Sequence, residues 1–390
     1  MRLSKRIMGL TGGGSDGWDV YYRAKEMAAA GEDVTELTIG EHDITTDRSI
    51  LDVMYQATLN GHTGYSMFNG NTNLRERVAA RVTQRTGVRT TPDNVLVVPG
   101  GQAGLFAAHH GACDEGDRAL YIDPFYATYP GTIRAVGAQP VAVEARAENG
   151  FQPDPADIAA VADGAASLLI NSPNNPTGVV YTRETMEGIA RVCQDKGMWL
   201  ISDEVYDTQL WDGAHVSPRT LPGMETQVLV IGSLSKSHAM TGSRIGWIVG
   251  PEEAIYHISN LATHTTYGVA GFIQEAACFA LDRGEAFEAG VAAPFRRRRD
   301  LVMEMLEGQN LVRAVHAGGA MYLMLDIRAT GLSGEAFANR LLDAHRVAVM
   351  PGESFGRAAA GHIRVALTVA DERLVLAIEN LLELAEDCAG

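Results

Sequence analysis

Between about residues 50 and 285, short β-rich runs alternate with amphipathic stretches, and this pattern constrains the fold more than any other feature. The strand candidates are residues 94–98, 118–123, 139–143, 167–171, 198–203, 227–233 and 244–250. Helical patterns separate most of them, as in RETMEGIARVCQDKG at 183–197. Such alternation predicts an α/β fold with a mostly parallel sheet covered on both faces. Beyond about residue 285 the texture changes to a long charged helix candidate, 285–308. A mixed segment follows, with strand candidates at 320–327, 345–350 and 362–369 and a final helix. The first forty or so residues hold a helix (VYYRAKEMAAAG) and a short apolar run (TELTIG), which are expected to pack with the C-terminal segment. The predicted organisation is an arm and part of a small domain (1–48), a large ligand-binding domain (49–285) and a small C-terminal α/β domain (286–390).

With 390 residues, 46% of them hydrophobic, the chain can bury a large core. Its formal net charge of −16 argues against a general nucleic-acid partner, because phosphate binding needs a basic surface. Cys113, Cys193, Cys278 and Cys388 show no close pairing and no ligand-like spacing with histidine, which predicts free thiols in a reducing, cytoplasmic setting and no metal. No apolar run is long enough to span a membrane, and the N-terminal residues lack the sustained apolar region of a signal peptide.

In open α/β sheets, ligands sit beyond the carboxyl ends of the strands, so the polar residues that follow the strands should converge. After 94–98 comes Pro99-Gly100-Gly101-Gln102, a turn that opens a helix and suits phosphate as well as simple tight turning. After 118–123 comes an aromatic pair, Phe125-Tyr126. After 167–171 a loop made rigid by two prolines and a glycine, Ser172 to Gly178, holds an amide in place. Asp203 and Tyr206 follow the next strand, and Ser233-Leu234-Ser235-Lys236 the one after. Arg244 begins its strand where the others end theirs. To reach the same edge, that strand must run antiparallel. An ε-amine, a carboxylate for a pyridine nitrogen, an amide and a phenol for a ring oxygen, an aromatic face, and Ser, Arg and backbone N–H groups for phosphate are the parts needed to hold pyridoxal 5′-phosphate.

The ordered set resembles the class I/II aminotransferases, which are fold-type I pyridoxal-phosphate enzymes. The resemblance runs from TIGEHD (38–43) and GHTGYSMFNGNTNLRERVA (61–79) through NNPTG, SDEVY and SLSKSHAMTGSRIGW to PGESFG (351–356) and HIRVAL (362–367). It implies that Lys236 carries the cofactor as a Schiff base and serves as general base and acid. It pairs Asp203 with the ring nitrogen, directs Asn175 and Tyr206 to the ring oxygen, and stacks Tyr126 on the ring. Gly101, Gln102, Ser233, Ser235 and Arg244 are implied for the phosphate. Tyr65 is implied to reach the phosphate of a neighbouring subunit, making a homodimer with shared sites. Arg364 and Gly40, with Asn175, are implied to bind the α-carboxylate of an amino acid or 2-oxo acid. The residues support Arg364 independently, since an arginine within an apolar strand wants a carboxylate partner.

Departures from the family pattern are His42 within Glu41-His42-Asp43, the glycine-rich stretch 12–19, and Tyr267-Gly268-Val269. In NLATHTT only His264 offers a cation where dicarboxylate-specific relatives often place an arginine, so aspartate or glutamate is not expected to be the sole preferred donor. Arg296 to Arg299 read as a solvated helix face with some ion pairs, and the adjacent His109 and His110 as pointing to different faces. A C–S β-lyase sharing the same cofactor set and a non-catalytic regulatory homologue both stay open on the sequence.

Overall fold

The computed structural model describes residues 1–12 and 17–389, so positions 13–16 of the glycine-rich stretch lie outside it. Twelve strands fall in two sheets among the described residues. In chain order the strands are β1 (Thr35–Leu37), β2 (Val95–Val98), β3 (Arg118–Asp123), β4 (Gln139–Glu144), β5 (Ala165–Asn171) and β6 (Trp199–Asp203). They continue with β7 (Val228–Ser233), β8 (Gly246–Val249), β9 (Arg313–Ala314), β10 (Tyr322–Asp326), β11 (Val347–Pro351) and β12 (His362–Ala366).

The seven-stranded sheet has the order β2-β8-β7-β6-β5-β3-β4. The mostly parallel sheet expected from the alternating pattern is present: β4-β3, β3-β5, β5-β6 and β6-β7 all pair in parallel. β8 is antiparallel to both neighbours, with Ser233 opposite Gly246 and Val98 opposite Gly246 on the other side. The sheet is buried on both faces, as β3 shows: Leu120 and Ile122 enter one core while Ala119 and Tyr121 enter the other. A strand buried on both faces needs apolar residues at every position, which is why these segments read as continuous runs rather than alternating ones. Helices cover both faces. One of them, Arg183–Lys196, starts where the Thr182 side chain accepts the Thr185 N–H and stops at the left-handed Gly197.

The smaller sheet runs β1-β11-β12-β10-β9 and takes β1 from the N-terminal segment, parallel to β11. Its core includes Leu37, Phe337, Val349 and Ile363, and it continues onto Tyr206 and Trp211 from the other sheet's side. β12 lies between β10 and β11, so Arg364 faces Met324 on one side and Met350 on the other. Among the described residues no helix is long and apolar enough to cross a membrane.

Two sequence readings need correction. Arg244 does not begin β8. It sits two residues before it with φ of 49°, ending a short 3-10 turn, Thr241–Ser243, so the reversal happens in that turn. The Arg296–Arg299 run is not simply a solvated face. Arg298 is buried in the helix Gly284–Met305 and pairs with both Asp43 and Asp371. Arg297 also pairs with Asp371, and Arg299 reaches Asp212. Helix periodicity hid this because it cannot foresee that β1's loop and the last helix both deliver a carboxylate to one position. All four cysteines are free thiols. His109 is buried, whereas His110 stacks edge-on against Phe106.

Candidate active site

Lys236 lies in the one-turn helix Leu234–Ser237 that follows β7. The Ser233 side chain caps that turn by accepting the Ser235 N–H, which fixes where Lys236 projects. Its Nζ donates to the Gly40 carbonyl. Burial lowers the Lys236 pKa below its usual value. Gly40 must be glycine for a steric reason: a Cβ there would lie 1.7 Å from the Tyr322 Oη. His42, two residues on, is largely buried edge-on against Phe295, and burial brings its pKa down to about 4.

At the end of β6, Asp203 is buried, and burial pushes its pKa up to about 6. The Tyr129 hydroxyl donates to Asp203 Oδ2 at 2.7 Å. Asn171, paired with Asp203 across β5 and β6, donates Nδ2 to the Asp203 carbonyl at 2.9 Å. The same Asn171 accepts the Asn175 N–H through Oδ1 at 2.7 Å, so one amide links the two strand ends and positions the Asn175 loop. The Tyr206 and Tyr322 hydroxyls are 3.0 Å apart, and Asn175 Nδ2 is 3.5 Å from Tyr322 Oη. Tyr126 packs edge-on to Tyr129.

The helix Gly101–Ala112 begins with Gly100 at φ of 83°. A Cβ on Gly100 would come 2.5 Å from Arg244 Nη2, so the absent side chain lets that guanidinium lie over the helix start. Arg244 Nη1 donates to the Thr241 carbonyl at 2.8 Å. The Gln102 amide is held by Thr132 and Thr128 at 2.7 and 2.9 Å. A helix start with free N–H groups, two serines and an arginine are groups that could hold a phosphate.

Arg364 is 1% exposed and has no carboxylate partner among the described residues. Its guanidinium is sandwiched between Tyr322 (4.5 Å to the ring centroid) and Phe355 (4.3 Å). Nη1 donates to Asn175 Oδ1 at 2.8 Å and Nη2 to the Thr38 carbonyl, while Nε has no partner. Burial lowers its pKa.

These groups line one cavity of about 300 Å³: Gly40, Gly101, Gln102, Tyr126, Asn175, Asp203, Tyr206, Ser233, Ser235, Lys236, Arg244 and Arg364 all border it. Tyr65 does not. It is 89% exposed and packs edge-on to Tyr267, beside a separate groove. Sequence reasoning missed Tyr129, Tyr322 and Asn171 as lining residues, along with Glu41 and Thr241, whereas Trp18 lies in the 12–19 stretch that the family resemblance places near the substrate pocket. Asn171 was legible as the polar last residue of an apolar strand, and Tyr129 as a second aromatic three residues beyond Tyr126. Tyr322 gave no signal beyond a phenol in an apolar run.

A family model described as "Aminotransferase class I and II" matches residues 32–381. An arginine–pyruvate transaminase of Pseudomonas aeruginosa is 40% identical over the whole of both chains. An aspartate/prephenate aminotransferase of Thermus thermophilus is 35% identical over 92% of each. Among solved structures, a double mutant of the Thermus thermophilus aspartate aminotransferase superposes with a TM-score of 0.92 at 34% identity, covering 98% of this chain and 100% of that one.

Proposed function

We infer the details of function from a settled premise: this chain belongs to the class I and II aminotransferases and is an enzyme that transfers amino groups. Enzymes of this family use pyridoxal 5′-phosphate. The observation that carries the reading here is a pair of unmatched buried charges on one cavity. Asp203 is a buried carboxylate with no ion pair among the described residues, and Arg364 is a buried guanidinium with none. A protonated pyridine nitrogen answers the first and a substrate α-carboxylate answers the second, with Lys236 on the same cavity. The residues present therefore fit the cofactor.

When bound, the cofactor supplies a carbonyl carbon that takes up amines and a ring that accepts the electrons of the broken Cα–H bond. The Asp203 carboxylate would hold a proton on the ring nitrogen. Asn175 and Tyr206 would donate toward the ring oxygen, Tyr126 would cover the ring face, and Gly101, Gln102, Ser233, Ser235 and Arg244 would hold the phosphate. Lys236 Nζ, which burial shifts toward its neutral form, would take the proton from Cα and deliver it across the nitrogen to the cofactor's carbonyl carbon. Arg364 grips the α-carboxylate as a bidentate pair, with Gly40 beside it, and so decides which Cα bond faces the amine. The segments 1–48 and 286–390, which build the sheet holding Arg364, form the body that closes on the substrate.

The donor is an amino acid with a neutral or cationic side chain, arginine included, and the acceptor a small 2-oxo acid such as pyruvate. Two facts support this: the 40% identical relative is a transaminase for that pair, and the cavity's cations among the described residues are only Lys236, Arg244 and Arg364, each already assigned. The enzyme acts as a homodimer with shared sites. Tyr65, Met67 and Tyr267 cluster exposed around a groove of about 660 Å³, where a second copy would cover them. Four free thiols agree with a cytoplasmic setting. The test is a half-reaction screen that follows the visible band of the cofactor-loaded protein against single amino acids. Arginine should bleach it with a rate constant at least ten times that of aspartate. Equal or faster bleaching by aspartate refutes the donor assignment.

A further inference from the structure

Asp123, the last residue of β3, belongs to the large sheet, yet its carboxylate serves the small one. Oδ2 accepts the Arg357 N–H at 3.0 Å and Oδ1 the Ala358 N–H at 3.3 Å. Between the sheets the contact is close. A Cβ on Gly356, whose φ is 118°, would fall 1.9 Å from Asp123 Oδ1, so the loop backbone lies flat on the carboxylate. Two residues further along the chain, the Phe125 N–H donates to the Phe355 carbonyl at 2.9 Å. Phe355 is fully buried, and its ring is one of the two that sandwich the Arg364 guanidinium. At its other end the loop is tied to its own sheet by Glu353, which accepts the Gly334 and Gly361 N–H groups at 3.0 and 3.1 Å. The turn Gly352–Phe355 is thus fastened at both ends, and the large-sheet fastening is Asp123 together with the backbone two residues after it.

Arg364 needs such support. Among the described residues its Nε has no partner and no carboxylate neutralises it, while two aromatic faces and two oxygens hold it in place. We propose that Asp123 is a positioning residue for the substrate-carboxylate clamp: by holding the 352–358 loop down, it keeps Phe355 against Arg364 and fixes the guanidinium for bidentate binding. This rests on the reading of Arg364 as that clamp. Asp123 touches neither cofactor nor substrate. Its loss should therefore weaken carboxylate recognition, shared by donor and acceptor, and leave the cofactor's own contacts unchanged.

The test compares Asp123→Asn, Phe355→Leu and Arg364→Gln in cofactor-loaded enzyme, measuring KM for both the amino donor and the 2-oxo acid, kcat, and cofactor Kd by titration of the stripped protein. Asp123→Asn keeps the shape and one acceptor but places an N–H₂ against a loop N–H. It should raise both KM values roughly tenfold, since small misplacements of a clamp are costly, with kcat and cofactor Kd within about twofold. Phe355→Leu should reproduce that signature and decides the matter should Asp123→Asn fail to fold. If Arg364→Gln raises both KM values while the other two variants leave them unchanged, the clamp stands and the role of Asp123 is overturned. An Asp123→Asn effect on cofactor Kd as large as that on KM also overturns it, because a purely structural residue behaves that way. Unchanged KM in Arg364→Gln would instead remove the clamp itself.

Discussion

Replacing Tyr129 by Phe removes one hydroxyl and nothing else, at a position where both partners are buried. In the parent, that hydroxyl donates at 2.7 Å to Asp203 Oδ2, and the remaining nearby donor, the Val205 N–H, is 3.4 Å from Oδ1. The bond favours the ionised carboxyl against a burial that pushes its pKa up to about 6. A hydrogen bond to a charged group contributes about 1.5–3 kcal/mol, and one pKa unit is about 1.4 kcal/mol, so its loss should raise the Asp203 pKa by about one to two units. The sign follows from which form binds. The ionised carboxylate pairs with a protonated pyridine nitrogen, so affinity for the cofactor is full above the pKa of the free site and falls as pH drops through it. Titrating stripped protein with pyridoxal 5′-phosphate across pH should show an inflection near 6 in the parent and one to two units higher in Tyr129→Phe. The two should converge at alkaline pH. An inflection unmoved by the substitution would refute the claim that Tyr129 acts on Asp203.

Two further outcomes follow from packing. Gly40→Ala places a methyl 1.7 Å from Tyr322 Oη and must displace either the phenol or the Gly40 carbonyl that Lys236 touches; kcat should fall roughly a hundredfold with the fold retained by circular dichroism, and an unchanged kcat would contradict the tight seam. Arg298→Ala strands Asp43 and leaves Asp371 to Arg297 alone; because both carboxylates keep contact with water, chemical denaturation should show a loss of about 1–3 kcal/mol, and a loss under about 0.5 kcal/mol would return the arginine run to the solvated surface.

Most of the fold was legible because a parallel sheet buried on both faces writes continuous apolar runs, and the chain carries them from 94 to 249 with short punctuation. The antiparallel β8 could be deduced because one arginine had to reach the edge the other residues share, although the turn that delivers it was not visible. β9, two residues long and on a sheet edge, has no periodicity to read. Within the site, residues announced by strand ends and turns were readable. Tyr322 and Asp123 were not, because their roles depend on which distant segment packs against them: Tyr322 meets Tyr206 across 116 residues and Asp123 meets Arg357 across 234. Arg298 was misread for the same reason, since its two carboxylates come from opposite ends of the chain.

The account stands on the identity of one amine. Treating cofactor-loaded protein with borohydride and mapping the peptides should find the pyridoxyl label on Lys236 alone, with none incorporated in Lys236→Ala. Label on Lys5, Lys25 or Lys196, or full incorporation after Lys236 is removed, would contradict it.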